Sequence, residues 1–322
     1  MERLAHIPVM LEECMEGLNL KDNGIYFDGT LGGGGHSYEI LRRTSAGRLV
    51  ATDLDTESIA RAKEKLAEFE GRFAIAHDNY KNFKYVLKEN GIEAVDGILL
   101  DFGVSSFQLD DKSRGFSYNA DCALDMRMNP DQSLTAKEVV NTYSEEALRR
   151  ILSEYGEERF SGRIAKEIAA ERKKREITRS TELIEIIERS IPKKFQQDGH
   201  PARRTFQAIR IEVNRELDDL KETVLSMARS LKKGGRIVIL TFHSLEDRIV
   251  KQAFKELETD CVCDKRLPVC VCGKKSKGKV ITRKPILPGE TEMEENPRSK
   301  SAKLRIFEFV YYNPVLLEYL PV

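Results

Sequence analysis

The sequence predicts an α/β protein with a doubly wound, mainly parallel sheet and an inserted helical domain. Two observations support this fold class. In the N-terminal third, short apolar segments alternate with amphipathic segments of helical spacing, and this alternation is typical of parallel sheets. A stretch without strand signals then follows, and strand-like segments return towards the C-terminus. A sheet interrupted by a helical insertion accounts for both.

Four strands are predicted in the N-terminal third, and a helical segment follows each of the first three. The strands are GIYFDG, GRLVATDLD, RFAIAH and VDGILLDFG. Apolar residues at helical spacing predict helices between them, for example in ESIARAKEKLAEF. Residues 97–100 are apolar on both faces, as expected for a parallel strand that is buried on both sides.

The middle of the chain is predicted to be helical. From about Lys112 to Arg204 no segment has a convincing strand pattern, and Ser144 is a candidate helix cap. Helices are predicted in SLTAKEVVNTYSEEALRRILSEYG, ERFSGRIAKEIAAERKKR and STELIEIIERSI. We therefore expect an α/β domain formed by residues 1–111 and 205–322, with residues 112–204 as the insertion.

The second part of the α/β domain is expected to begin with one long helix. The segment TFQAIRIEVNRELDDLKETVLSMARSLKKGG has helical spacing throughout and ends in two glycines. RIVILTFHS and KLRIFEFVYY are predicted strands, with the helix LEDRIVKQAFKEL following the first of them.

Composition and charge limit the possible functions. The 322 residues are 40% hydrophobic and 33% charged, with no apolar run near the roughly 18 residues that span a bilayer. The start, MERLAHIPVM, lacks the blocks of a signal peptide, so we expect a cytoplasmic location and no membrane partner. In the cytoplasm, six cysteines indicate reduced thiols or metal ligands rather than disulfides.

The charge is zero overall but unevenly distributed. Arg159–Arg210 contains 14 Lys and Arg against 7 Asp and Glu, and Lys265–Arg305 contains 12 against 4. Two basic blocks indicate a polyanionic partner such as a nucleic acid. Solvated helix faces without any such partner would give the same counts.

The motif DGTLGGGGHS at residues 28–37 follows the first predicted strand. Glycines in a strand-to-helix turn allow a ligand to approach the backbone. Asp53 ends the next strand, 20 residues after Gly33, where an acidic residue commonly binds a ribose hydroxyl. NAD, FAD and S-adenosylmethionine fit this pattern, and a tight turn without a ligand is the alternative. The fingerprint G-x-G-x-x-G would need a glycine at Ser37, and this favours S-adenosylmethionine.

Longer motifs extend the interpretation along the chain. They are HIPVML at 6–11, DGTLGGGGHS at 28–37, DGILLDFGVSSFQLD at 96–110, RGFSY and LDMRM within 114–128, YGEERFSGRIAKEI at 155–168, RTFQAIRIEVNREL at 204–217, FHSLEDRIVK at 242–251 and ENPRSKSAKLR at 295–305. In these motifs the chain resembles the bacterial RsmH (MraW) family. Members methylate the N4 amino group of a cytidine in the decoding centre of 16S ribosomal RNA, within the small ribosomal subunit.

The resemblance implies a class I, Rossmann-like S-adenosylmethionine-dependent methyltransferase with a helical substrate-recognition insertion. It also implies the cofactor contacts, which are Gly34, Gly35, His36, Asp53, Tyr80, Asp101 and Gln108. For Asp101 the sequence pattern alone also indicates a ligand contact, because a carboxylate that ends a buried apolar strand faces the ligand crevice. A capping aspartate in a turn is the alternative.

The chemistry implied by the resemblance requires an acceptor for an amino N–H. The lone pair of the cytosine amino group is delocalised, so the enzyme must orient this group and polarise its N–H. Asp101, Asp125 and His243, with Ser244 beside it, are the candidate catalytic residues. For His243, a structural histidine bonded to the backbone is the alternative. DFGVSS replaces the Pro-Pro-aromatic loop of many amino-methyltransferases, so their mechanism is not carried over. Cys122 lacks a Pro-Cys loop and is interpreted as incidental.

The basic blocks suggest where RNA would bind. Arg203 and Arg204 precede the predicted long helix, and Arg298 and Lys300 lie in a basic loop before the last strand. We expect these side chains to contact RNA phosphates. We do not expect DNA as a partner. Three other hypotheses stay open, namely a nicotinamide dehydrogenase, an S-adenosylmethionine-binding assembly factor without catalysis, and a methyltransferase with another RNA target.

Four cysteines follow the pattern C-x-C-x6-C-x-C between Cys261 and Cys272. Four thiols so close in sequence can form a tetrahedral zinc site. The C-x-C spacing is less usual than C-x-x-C, and the resemblance does not require these cysteines. The sequence alone therefore assigns no metal, and a zinc site and a loop of reduced thiols both stay open.

Overall fold

The computed structural model describes residues 7–196, 199–264 and 266–310. The chain folds as two compact units, one formed by Met1–Gly103 with Asp219–Val322 and the other by Val104–Asp218. The second unit begins before and ends after the insertion predicted at 112–204. It extends further because Leu109 packs against its hydrophobic core and Phe206 and Val213 are part of that core.

The first unit contains a seven-stranded sheet in the order β3-β2-β1-β4-β5-β7-β6. Its strands are β1 Ile25–Asp28, β2 Arg48–Asp53, β3 Phe73–His77, β4 Val95–Asp101, β5 Leu231–Thr241, β6 Gly278–Val280 and β7 Lys303–Phe309. Strands β1 to β5 pair in parallel, whereas β7 is antiparallel to both β5 and β6. The predicted doubly wound, mainly parallel sheet is confirmed.

The strand order reverses between β1 and β4. Asp28 at the end of β1 pairs with Leu99, and Asp101 ends β4 two residues later. Ligands of doubly wound sheets bind in the crevice outside the carboxyl ends of the strands, at such a reversal. The topology therefore places Asp28 and Asp101 at the expected binding crevice.

Helices flank the sheet in the first unit and form most of the second. In chain order they are α1 Leu11–Leu18, α2 Gly35–Arg42, α3 Thr56–Leu66, α4 Phe83–Glu89, α5 Ser106–Asp110, α6 Ala136–Thr142, α7 Glu145–Glu154, α8 Ser161–Glu171, α9 Ser180–Ser190, α10 Arg203–Asn214, α11 Leu220–Arg229, α12 Ser244–Glu258 and α13 Glu290–Glu295. Helices α5 to α10 belong to the second unit. None of the helices in the described ranges is long and apolar enough to cross a membrane.

Side-chain caps explain where two helices of the second unit begin. The hydroxyl of Thr135 accepts the backbone N–H of Glu138 and starts α6, and the hydroxyl of Ser144 accepts that of Ala147 and starts α7. Such caps satisfy N–H groups that the helix itself leaves free. The predicted role of Ser144 is confirmed.

The prediction of a single long helix after Arg204 is wrong. The chain instead forms α10 and α11, and Arg215 and Asp219 between them have left-handed backbones with φ of 49° and 51°. Asn214 explains the end of α10, because its side-chain amide donates to the carbonyl of Met126 at 2.7 Å. This bond holds the helix end against a distant loop, which periodicity does not reveal.

Candidate active site

The glycine run is an ordered turn that leads into α2. Gly32 and Gly34 have left-handed backbones with φ of 51° and 75°, which glycine adopts most readily. A Cβ at Gly34 would lie 3.1 Å from the Cβ of Ala62, and one at Gly35 would lie 2.4 Å from the Cγ of Pro8. The glycines are therefore needed both for the turn and for close packing around it.

Asp28 holds this turn from inside the protein. Its Oδ2 accepts the hydroxyl of Ser37 at 2.6 Å, and its Oδ1 accepts the backbone N–H of Thr30 at 3.1 Å. Burial raises the pKa of Asp28 to about 6, against the effect of these donors. Because both oxygens already have protein partners, Asp28 orients the turn.

Asp53 connects the end of β2 to the same turn. One carboxylate oxygen accepts the N–H of Gly32 at 2.7 Å, and the other accepts that of Asp55 at 2.8 Å. Burial raises the pKa of Asp53. The side chain stays partly exposed, so it can also accept bonds from a ligand beside Gly32.

Asp101 is the least satisfied carboxyl group of the crevice. Its backbone N–H donates to the hydroxyl of Thr30 at 2.6 Å. The side chain is 27% exposed, yet its Oδ1 is enclosed and has no hydrogen-bond partner among the described residues. Burial, followed by repulsion from Asp28 and Glu246, raises its pKa to about 8. Leaving such a group unpaired costs on the order of 1–3 kcal/mol, so the arrangement calls for a partner from outside the protein.

His36 lies next to Asp101 at the start of α2. Its Nε2 is 3.0 Å from the carbonyl of Val9, which accepts only, so Nε2 carries a proton. Its Nδ1 lies 3.8 Å from Oδ2 of Asp101, beyond hydrogen-bond distance. The segment before α1 therefore fixes the imidazole and directs Nδ1 towards the crevice.

Tyr80 stands at the same edge of the sheet, after β3. The centroid of its ring is 5.7 Å from that of Phe102, and its Cβ would be 2.9 Å from a Cβ added at Gly29. Gly29 follows β1, so Tyr80 packs beside the turn. The sheet thus brings together the predicted contacts Gly34, Gly35, His36, Asp53, Tyr80 and Asp101.

His243 follows β5, whose Leu240 pairs with Asp101. The ring caps α12, since its Nδ1 accepts the backbone N–H of Glu246 at 3.4 Å. Its Nε2 lies 3.0 Å from Oε1 of Glu246, and the side chain is buried at 6% exposure. Both ring nitrogens therefore face Glu246, an arrangement that suits a positioning role.

Gln108 and Asp125 belong to the second unit, where protein partners engage both side chains. The amide oxygen of Gln108 accepts the backbone N–H of Ser105 at 3.0 Å in the capping box of α5. The two carboxylate oxygens of Asp125 accept from the guanidinium of Arg127 at 3.0 Å and 2.7 Å. The cofactor role of Gln108 and the catalytic role of Asp125 stay predictions.

The four residues predicted to bind RNA are all exposed. Arg203 and Arg204 form the first turn of α10, where Arg204 donates to the carbonyl of Glu157 at 3.2 Å. Arg298 and Lys300 lie in the 3-10 turn Pro297–Ser301 before β7. The two pairs belong to different units, and each presents positive charge to solvent.

Comparison with known proteins identifies the family. The model of the MraW methylase family matches residues 3–310, which is nearly the whole chain. The chain belongs to the MraW methylase family.

Relatives in this family are similar over almost their full length. The Lachnospira eligens protein named ribosomal RNA small subunit methyltransferase H is 59% identical over 94% of this chain and 97% of its own. The Agathobacter rectalis protein named ribosomal RNA small subunit methyltransferase H 2 is 58% identical over 94% and 98%. A Clostridium botulinum protein with the first of these names is 54% identical over 94% and 97%. The predicted membership in the RsmH (MraW) family is confirmed.

The structure of this MraW family member adds three residues that the sequence analysis missed. Thr30 connects the turn to β4, Ser37 donates to Asp28, and Pro8 packs on Gly35. Hydroxyl residues within a glycine turn are a usable signal, because a buried carboxylate nearby needs donors. The contact of Pro8 has no such signal, since it depends on how the N-terminal segment folds back.

Proposed function

We propose that this chain transfers a methyl group from S-adenosylmethionine to the N4 amino group of a cytidine in 16S ribosomal RNA. Its place of action would be the small ribosomal subunit in the cytoplasm. In a chain of this family, one observation supports the proposal most strongly. Oδ1 of Asp101, enclosed and without a hydrogen-bond partner among the described residues, lies at the reversal of strand order beside the glycine turn.

The crevice residues fit S-adenosylmethionine. Asp53 would accept from a ribose hydroxyl, and the ring of Tyr80 would lie against an adenine. Asp101 would gain a cationic neighbour, which favours its charged form. The cofactor, when bound, supplies an electrophilic methyl group on a sulfonium.

Asp101 is the preferred acceptor for the amino N–H. An acceptor needs a free lone pair, and the enclosed Oδ1 of Asp101 has no partner among the described residues. By contrast, Asp125 is paired with Arg127, and the Nδ1 lone pair of His243 already accepts the N–H of Glu246, so a neutral ring carries its proton on Nε2 and has no free lone pair. Once a cation has stabilised its carboxylate, Asp101 can hold the amino group and polarise its N–H while the nitrogen lone pair attacks.

The charge at the start of α10 supports an RNA substrate. A helix N-terminus carries partial positive charge, so Arg203 and Arg204 there cost roughly 0.3–1 kcal/mol each. The first turn contains no acidic residue to offset them. RNA phosphates at this position would relieve the repulsion.

An exposed aromatic residue of the second unit offers a surface for an unstacked base. Phe195 is 41% exposed, with the guanidinium of Arg159 at 4.9 Å and the ammonium of Lys194 at 5.0 Å from its ring centroid. Aromatic rings flanked by cations are a common platform for single-stranded RNA. The same unit thus offers both phosphate and base contacts.

Mass spectrometry of RNA tests the proposed function. Small subunits from a strain lacking the gene would be incubated with the protein and S-adenosylmethionine that carries a labelled methyl group. We expect one labelled N4-methylcytidine, located by nuclease fragments of the 16S RNA. A label on another RNA would point to a different target. Tight cofactor binding without any transfer would favour the assembly factor.

A further inference from the structure

A second cluster of reactive side chains lies in the first unit, between α12 and β6. Cys261, Cys263, Cys270 and Cys272 are free thiols whose sulfurs all lie within 4.8 Å of one another. The four measured separations are 3.5 Å for Cys261–Cys270, 3.9 Å for Cys263–Cys270, 3.6 Å for Cys270–Cys272 and 3.9 Å for Cys261–Cys272.

These separations match the ligand shell of a single tetrahedral ion. Zinc–thiolate bonds are about 2.3 Å long, so a regular tetrahedron places its sulfurs about 3.8 Å apart. A cluster of several iron atoms would hold its thiolates further apart than a single ion does. The observed range therefore fits one metal ion at the centre.

Backbone amides already support thiolates in this cluster. The N–H groups of Cys263, Val262 and Val271 donate to the sulfurs of Cys261, Cys272 and Cys263 at 3.4, 3.4 and 3.3 Å. An amide N–H that points at a sulfur stabilises negative charge on it, and a cysteine that binds a metal carries that charge.

The described residues of this segment form no apolar core that would fix its shape. Val262, Leu267, Val269 and Val271 are 48–77% exposed, and all four sulfurs belong to exposed or half-buried residues. Burial of apolar surface is the usual source of folding free energy. A segment without it needs another source, and metal–thiolate bonds supply one in small metal-bound folds.

We propose that Cys261, Cys263, Cys270 and Cys272 bind one zinc ion in a structural site. Four thiolates fill a tetrahedral shell, so no position stays open for water or substrate. The ion fixes the two C-V-C turns against each other. It also positions the basic segment that follows, which includes Lys274 and Lys275 and rejoins α12 where the N–H of Lys277 donates to Leu257 at 2.8 Å. The site does not depend on the proposed RNA substrate.

Metal analysis of the full chain tests this site. Protein purified without chelators or an affinity tag that binds metal should contain about one zinc per chain by plasma mass spectrometry. The double variant C261S/C272S should contain less than about a tenth of that, because two ligands cannot hold the ion. C122A, which removes a buried thiol outside the cluster, should keep the wild-type content.

A second measurement does not depend on the folding of the variant. Wild-type protein stripped by a chelator under reducing conditions should take up one Co²⁺ and show the visible absorption of tetrahedral cobalt–thiolate sites, which Zn²⁺ then abolishes. Purified wild-type protein without metal, together with no such cobalt spectrum, would overturn the proposal. So would zinc content that is the same in C261S/C272S as in the wild type.

Discussion

The crevice around Asp101 and the cysteine segment Cys261–Cys272 both hold ionisable groups that the described residues leave incompletely satisfied. They differ in how these groups are positioned. Asp101 is fixed by β4 and by its bond to Thr30, within a sheet whose neighbours are buried. The cysteines are exposed or half-buried and contact mainly one another. A rigid frame can therefore hold an unsatisfied group ready for a ligand. The cysteine segment, by contrast, is expected to become rigid only when its ligand binds.

If the crevice depends on one unsatisfied carboxyl group, replacing Asp101 should have the largest effect. D101N keeps the shape of the side chain but supplies no charge and a weaker acceptor. We expect kcat to fall by about 10²-fold or more at saturating S-adenosylmethionine, the scale of a general acid–base contribution. Single-turnover methylation of small subunits measures this effect. An increase in KM for the cofactor with unchanged kcat would restrict Asp101 to cofactor binding.

Asp96 provides the matched control on the same strand. It is also buried, but Lys21 and Lys232 pair with it at 2.9 Å and 2.7 Å and lower its pKa. D96N therefore removes a satisfied carboxylate at the opposite end of β4. We expect a lower melting temperature and an unchanged kcat. Equal kcat losses in D96N and D101N would show that the losses reflect general damage to the sheet.

Replacing Asp53 should have a smaller effect, confined to the affinity for S-adenosylmethionine. D53A removes a charged acceptor for the ribose, worth roughly 1.5–3 kcal/mol, and also frees the N–H of Gly32. We expect the Kd for S-adenosylmethionine, measured by calorimetry, to rise by about 10- to 100-fold. D55A removes the cap of α3 and serves as the control, with lower stability but near wild-type affinity. Wild-type affinity in D53A would contradict the ribose assignment.

Charge reversal at α10 should affect RNA alone. R203E/R204E removes two phosphate contacts, so the slope of log affinity against log salt should decrease by about 1.4 or more. Affinity for S-adenosylmethionine should stay unchanged. K63E/K84E, which reverses two exposed charges on α3 and α4, is the charge-matched control. An unchanged salt slope in R203E/R204E would move the RNA surface elsewhere, and loss of both affinities would indicate misfolding.

The sequence predicts the frame of the crevice better than its details. Alternation and the glycine turn place the ends of β1, β2 and β4 at one edge, because parallel strands leave little choice. The capping role of His243 was also accessible, since Glu246 follows three residues later as in a capping box. That Oδ1 of Asp101 has no hydrogen-bond partner among the described residues could not be predicted, because it depends on every neighbouring side chain.

In the cysteine segment the sequence predicts the chemistry but not the geometry. The spacing of Cys261 to Cys272 reveals the ligand type, but sulfur separations depend on two turns whose backbone the sequence does not fix. The break between α10 and α11 has a different origin, since the contact of Asn214 with Met126 joins residues far apart in the chain. In neither place does the pattern of residue types show the contact that decides the local backbone.

Proton release on cofactor binding tests most directly whether Asp101 awaits a cation. Free Asp101, with a pKa of about 8, holds its proton at about pH 7, and a nearby cation lowers that pKa. Calorimetric titration with S-adenosylmethionine at about pH 7, in buffers of different ionisation enthalpy, should therefore show release approaching one proton per site. D101N should release almost none. Absence of proton release from the wild-type protein during tight binding would contradict the account.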